Sequence, residues 1–191
     1  MRSLYAQFGE TYGLKKLSAD DEERIRDLHG RELLKALGLP IWKVPRIMRA
    51  MRGLMAEEAE RFRLFPEIDA CLRALFAGGV RLGIVSSNSR ENIEKILGAD
   101  LSKLIHHFDC GASMFGKASK VRRVVRVSGT GRGIYIGDEV RDAEAARDAG
   151  LAFGAVAWGH HRLEILCKSQ PDEVFHRPGE IAPRILSGNA T

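Results

Sequence analysis

The stretch Ile134-Tyr135-Ile136-Gly137-Asp138-Glu139-Val140-Arg141-Asp142 decides how this chain is read: an apolar run, a glycine, then two carboxylates four residues apart. Tyr135 and Ile136 suit a buried strand, and Gly137 lets the backbone turn sharply. Asp138 then falls at the strand's carboxyl edge, where open α/β sheets bind their ligands. A helix starting near Glu139 puts Asp138 around its N-cap and Asp142 in its first turn, so the two carboxylates lean towards one opening. Two hard oxygen donors there suit Mg2+, which takes one or two protein carboxylates and completes its octahedron with water and phosphate oxygens. The same residues also make ordinary helix-start chemistry, in which first-turn acids serve only the helix dipole.

Outward from this strand, helices and strands alternate. Val80 to Val85 predicts a strand running into Ser86-Ser87-Asn88-Ser89, and a helix from about Arg90 to Leu97 leads to a short strand near His107 to Cys110. A basic amphipathic helix spans Lys117 to Val127, with valines 121, 124, 125 and 127 as its buried side and the charges as its solvated face. Val140 to Ala149 reads as a helix closed by Gly150, and Ala152 to Ala157 as a further strand. A helix at Leu163 to Lys168, an extended piece around Glu173 to Phe175 and a last helix near Glu180 to Leu186 complete the series. Ahead of these, Pro66 opens a helix whose inner face is Ile68, Cys71, Leu72, Leu75 and Phe76, ended by Gly78-Gly79. Such alternation implies α/β architecture, a Rossmann-like parallel sheet covered on both faces.

From about Leu4 to Phe62 the pattern is helical throughout. Leu17-Ser18-Ala19-Asp20 opens one helix; Leu33, Leu34 and Leu37 lie on another that Gly38 and Pro40 stop; further helices begin near Pro45 and Leu54. The organisation expected is a small all-helical cap over residues 1–63 and an α/β core over residues 64–191.

Composition bounds the rest. With 191 residues and 45% hydrophobic content, the chain can bury one good core plus a small lobe. No apolar run reaches the ~20 residues of a membrane span, and Met1-Arg2-Ser3-Leu4-Tyr5 lacks a signal-peptide core, so the expectation is a cytoplasmic protein with no membrane partner. Cys71, Cys110 and Cys167 are scattered and read as small hydrophobes. The formal charge of +5 favours anionic ligands, but no aromatic stacking set interleaves the basic run, which argues against nucleic acid. His106, His107, His160 and His161 form adjacent pairs that rarely share a face, so they make an improbable metal site.

In a parallel sheet every carboxyl end faces the same rim, so Ser86 arrives near Asp138. Ser86 to Ser89 supplies hydroxyls, an amide and backbone N–H groups at a helix start, a natural anion cradle; equally, Asn88 or Ser89 caps the next helix. Lys117, after Phe115-Gly116, sits at the unfavourable end of a helix dipole and calls for a compensating anion or solvent.

Ser86 after an apolar strand, Phe115-Gly116-Lys117, and Gly137-Asp138 with Asp142 followed by Ala145-Ala146 and Ala149-Gly150 together resemble the haloacid dehalogenase (HAD) superfamily, in its phosphoglycolate phosphatase-like branch with a helical cap. The likeness extends through Ala157-Trp158-Gly159 and Pro171-Asp172. It implies a phosphatase working through a phosphoaspartyl intermediate on a small phosphorylated metabolite, as a monomer or homodimer. On this resemblance Ser86 and Lys117 are catalytic, Ser87 and Asn88 bind the phosphate, and Asp138 and Asp142 hold Mg2+. Cap residues Arg31, Arg46, Arg49 and Arg52 would meet the leaving group or be solvated.

The family's first motif, Asp-x-Asp-Gly-Thr on a central first strand, is not in this sequence, and no other Asp-x-Asp occurs in it. No nucleophile is therefore assigned. Without that strand, between those ending at Ser86 and Ile136, a slot about 10 Å wide is expected, twice the usual strand spacing. Two accounts fit. Either the protein begins roughly 10 to 20 residues earlier, enough for a strand and loop, and Met1 is internal; or this is a degenerate, catalytically silent relative that keeps an anion and Mg2+ site for binding or regulation. The intact remaining motifs favour the first.

Overall fold

A computed structural model describes residue 28 and residues 30–57, 62–111 and 116–188. Two compact units divide the chain, Met1–Glu58 and Ala59–Thr191. The expected helix opening at Leu17 to Asp20 lies outside the described residues.

In the first unit, helix α1 (Gly30–Ala36) ends at Gly38, whose positive φ of 66° suits the turn. A 3-10 turn (Ile41–Lys43) leads into α2 (Val44–Glu57). The separate helices expected near Pro45 and Leu54 are one: Gly53 is accommodated within α2, because a single glycine weakens a helix without ending it. Leu37 and Ile47 are buried here, while Ile41 and Trp42 are exposed.

In the second unit, α3 (Ile68–Ala77) is followed by β1 (Leu82–Val85), α4 (Arg90–Ser102), β2 (Ile105–Asp109) and α5 (Gly116–Ser128). Then come β3 (Ile134–Gly137), α6 (Val140–Asp148), β4 (Ala152–Val156), α7 (Leu163–Cys167), β5 (Glu173–Phe175) and α8 (Ile181–Leu186). Pro66 stays outside α3, whose N-cap is Glu67, and Phe76 is exposed rather than on the inner face. Helix α4 outruns its expected end at Leu97: Gly98 takes φ 75° and ψ 168°, a break after which the helix resumes. Val127 of α5 is 59% exposed, since it lies off the stripe that buries Val121.

All strand pairs are parallel, but they form two sheets, β1-β2 and β3-β4-β5. Ser86 N–H donates to Asp109 O (3.1 Å), continuing the β1-β2 ladder; Ala152 N–H donates to Gly133 O (3.1 Å) on the other. Backbone groups alternate sides along a strand, so those of Gly83 and Val85 on β1, and of Ile134 and Ile136 on β3, turn to edges that pair with no strand among the described residues. The two sheets nevertheless share one core. Cys71 and Leu75 of α3, Leu82, Ile105, Val156, Phe175, and Ile181 and Ala182 of α8 form a single buried cluster. On the opposite face of β4, Phe153 and Ala155 pack on Ala143, Ala146 and Leu166. Burial on both faces is what parallel strands require.

Candidate active site

Gly137 ends β3 where a side chain would not fit: a Cβ there would lie 2.5 Å from the Cβ of Asp142. Asp142 can therefore fold back on the strand end. Its Oδ2 accepts from the N–H groups of Asp138 (3.1 Å) and Glu139 (3.0 Å), and its Oδ1 from Lys117 Nζ. The N-cap of α6 is Glu139 rather than Asp138, in a reciprocal capping box with Asp142. A free helix start needs one cap, and Glu139, one residue later, is already in position.

Lys117, in the first turn of α5, also donates to Glu139 Oε2 at 3.2 Å. The cation at the wrong end of a dipole thus has two carboxylate partners from across the molecule. Burial opposes ionisation of Glu139, but Arg141 and Lys117 outweigh it and hold the carboxyl down to about 2. For the almost fully buried Asp142, desolvation wins over Lys117 and the carboxyl is pushed up. The Tyr135 phenol is raised as well, by burial and then by the negative charge of Asp142 beside it.

Asp138 is held from the segment after β4. Its Oδ2 accepts from His160 N–H (2.7 Å), and its carbonyl from His161 N–H (3.1 Å). At Gly159 a Cβ would collide with the Cβ of Asp138, so a side chain here would displace that residue. His161 is buried, and its Nδ1 accepts from Val140 N–H (3.0 Å), tying the first turn of α6 to the same segment.

At the end of β1, Ser86 Oγ accepts from Asn88 N–H (3.1 Å), which leaves the hydroxyl proton to point elsewhere. Asn88 is buried and spends its side-chain oxygen inside the loop, on Ser89 N–H and Asn92 Nδ2, both at 2.9 Å. Ser89 is the N-cap of α4, accepting from Asn92 N–H at 3.2 Å. Thus Lys117 and Asp138 are brought together through Asp142, and Ser86 is joined to them through α5, whose Lys120 donates to Ser86 O at 2.9 Å.

Sequence reasoning missed four residues of this site. Glu139 and Lys120 had a local signal, since each lies near an assigned residue and Lys120 shares a helix face with Lys117. Gly159 entered only within the stretch that carries the resemblance and His161 only as one of an adjacent pair, because both reach the site through tertiary packing. Lys120 is corrected outright: it is buried, at 5% exposure, rather than solvated.

A family model described as haloacid dehalogenase-like hydrolase matches residues 2–156. The chain belongs to this family. Among curated proteins it is 30% identical, over 173 residues, to the phosphoglycolate phosphatase of Synechococcus elongatus, an alignment covering 89% of this chain and 82% of that protein. In fold it matches a candidate phosphoglycolate phosphatase from Lactobacillus plantarum with a TM-score of 0.79 at 19% identity, over 95% of this chain and 88% of that one. A haloacid dehalogenase-like family hydrolase from Streptococcus pneumoniae matches with a TM-score of 0.77 at 19% identity, over 96% and 89%. This haloacid dehalogenase-like hydrolase is thus of the phosphatase type, in the phosphoglycolate phosphatase-like branch. No helix among the described residues is long and apolar enough to cross a membrane.

Proposed function

We propose that this chain forms most of a Mg2+-dependent phosphatase for a small phosphorylated metabolite of the phosphoglycolate class, acting in the cytoplasm through a phosphoaspartyl intermediate. What carries the reading is the joining of Lys117 to Asp142 and Glu139 at the end of β3, by a helix that also reaches Ser86 at the end of β1. Anion donors and acid groups then share one rim, as in-line phosphoryl transfer requires.

The donor set fits magnesium. Asp138 is only partly buried, in a loop with two further carboxylates, and Mg2+ characteristically takes few protein ligands. Asp138 would hold the ion directly, and Asp142, its oxygens committed to Lys117 and backbone N–H groups, would hold the loop around it. Bound there, the ion would neutralise charge on the transferring phosphoryl group. Ser86 and its loop orient the phosphoryl oxygens; Lys117 balances the charge of the carboxylates facing them.

The proposal requires a reacting carboxylate on a further strand that pairs with the edges of β1 and β3 left unpaired among the described residues. The test is to assay the chain alone, and extended upstream in its genomic frame, against p-nitrophenyl phosphate with Mg2+. The extended protein should be active and its Asp138→Asn variant at least about a hundredfold slower, the usual scale for loss of a major electrostatic contributor. An inert extended protein that carries an Asp-x-Asp would sink the proposal. A silent anion-binding module is the second reading, motivated by the lack of any Asp-x-Asp in the sequence. It requires that no upstream Asp-x-Asp exist and that phosphate still raise Tm.

A further inference from the structure

We propose that Lys120 is a positioning residue of the anion site: its buried ammonium fixes the Ser86-Ser87 peptide so that Ser87 N–H is presented as a donor to a phosphoryl oxygen. The inference rests on the reading of this rim as a phosphate site.

Lysine is almost never fully buried unless paired, so its burial here calls for a reason. Lys120 Nζ donates to Ser86 O (2.9 Å), Asp109 O (3.4 Å) and Gly111 O, and lies 3.7 Å from Asp109 Oδ1. An ammonium has three donors and no acceptor. Three carbonyls at the ends of β1 and β2 use all three, and the Asp109 carboxylate balances the charge.

The consequence for the loop follows from peptide geometry. In a trans peptide the C=O and the following N–H point in opposite directions. With Ser86 O drawn onto α5, Ser87 N–H is directed away from that helix. The amides on either side are committed: Ser86 N–H to Asp109 O, Asn88 N–H to Ser86 Oγ and Ser89 N–H to Asn88 Oδ1. Among the described residues Ser87 N–H has no acceptor. It is the amide of this loop left for a ligand, and Lys120 sets its direction.

The test follows the backbone amide resonances of the isotope-labelled full chain during titration with inorganic phosphate. In the wild type the Ser87 amide should shift saturably. Lys120→Met keeps the stem but removes charge and donors; its Ser87 amide should move before phosphate is added, and the phosphate Kd should rise about tenfold. Lys120→Arg retains a cationic donor and should recover part of the affinity. Ile181→Val, in the shared core, destabilises the fold and should keep the wild-type Kd, separating lost stability from lost positioning. Should Lys120→Met not fold, Lys120→Gln makes the same comparison. Wild-type Ser87 shifts and Kd in the Lys120 variant would overturn the role while leaving the phosphate site standing. A wild type with no phosphate response at Ser87 would overturn the site and the role together.

Discussion

Lys117, taken as a single side chain, settles a conflict that Asp142 would otherwise suffer. Asp142 is buried with a raised pKa, beside two other acids, and Lys117 supplies the local positive charge that offsets them. Removing one partner of a buried pair leaves an uncompensated charge, at a cost of about 3 kcal/mol. Lys117→Met should lose about that much in urea unfolding, and adding Asp142→Asn should restore at least about 1 kcal/mol of it, as expected for residues in direct contact. Strictly additive losses would show that the two do not interact. Glu139 yields a pH dependence. Its carboxyl sits at about 2 in the folded protein against an ordinary 4.5, so its stabilising contribution is complete above about 4.5 and is lost as pH falls towards 2. Asp142, shifted upward from 3.8, acts in the opposite sense and from about that pH upward, where its burial as a carboxylate costs stability. Glu139→Gln should therefore flatten the fall of Tm below about pH 4.5 in metal-free buffer; an unchanged slope would remove Glu139 from the account.

Among the elements, two glycines differ in what they exclude. Gly159→Ala forces a side chain onto Asp138, and a misfit of this kind costs about 1–3 kcal/mol, the overpacking range. Gly131, where an added Cβ would meet nothing within 4 Å, should accept alanine with a change in unfolding free energy within about 0.5 kcal/mol. Equal losses for the two would contradict the packing argument. The same elements show what the sequence could and could not reveal. The strand at Ile134, the turn at Gly137 and the first-turn position of Asp142 were legible because periodicity and local sterics dictate them. The helix dipole likewise made legible that Lys117 needs a compensating anion or solvent, and the structure supplies the carboxylates of Glu139 and Asp142. The burial of Lys120 and the exposure of Val127 were not legible: both depend on which stripe of α5 meets the strand ends, and a one-position rotation of the helix exchanges such roles. The contacts of Gly159 and His161 were hidden because their partners lie more than about twenty residues away, beyond the reach of local pattern.

Over the molecule as a whole, the division of the strands into two sheets leaves alternate amides of β1 and β3 without partners among the described residues. Native-state hydrogen exchange should find the amides of Gly83, Val85, Ile134 and Ile136 faster than those of Ile84 and Tyr135. Uniform protection along both strands would mean that the edges are paired. Pairing of a further strand with these edges, as the proposed function requires, should slow all four together.

The connections within each sheet are short, β1-α4-β2 on one side and β3-α6-β4-α7-β5 on the other; among the described residues they are joined by the shared core with α3 and α8 and by α5, which packs on β1 and β2 and on α6. Each half therefore carries its own local topology, and their association is the long-range step of folding. Such a molecule should open as two cooperative units, with the halves parting before either ladder frays.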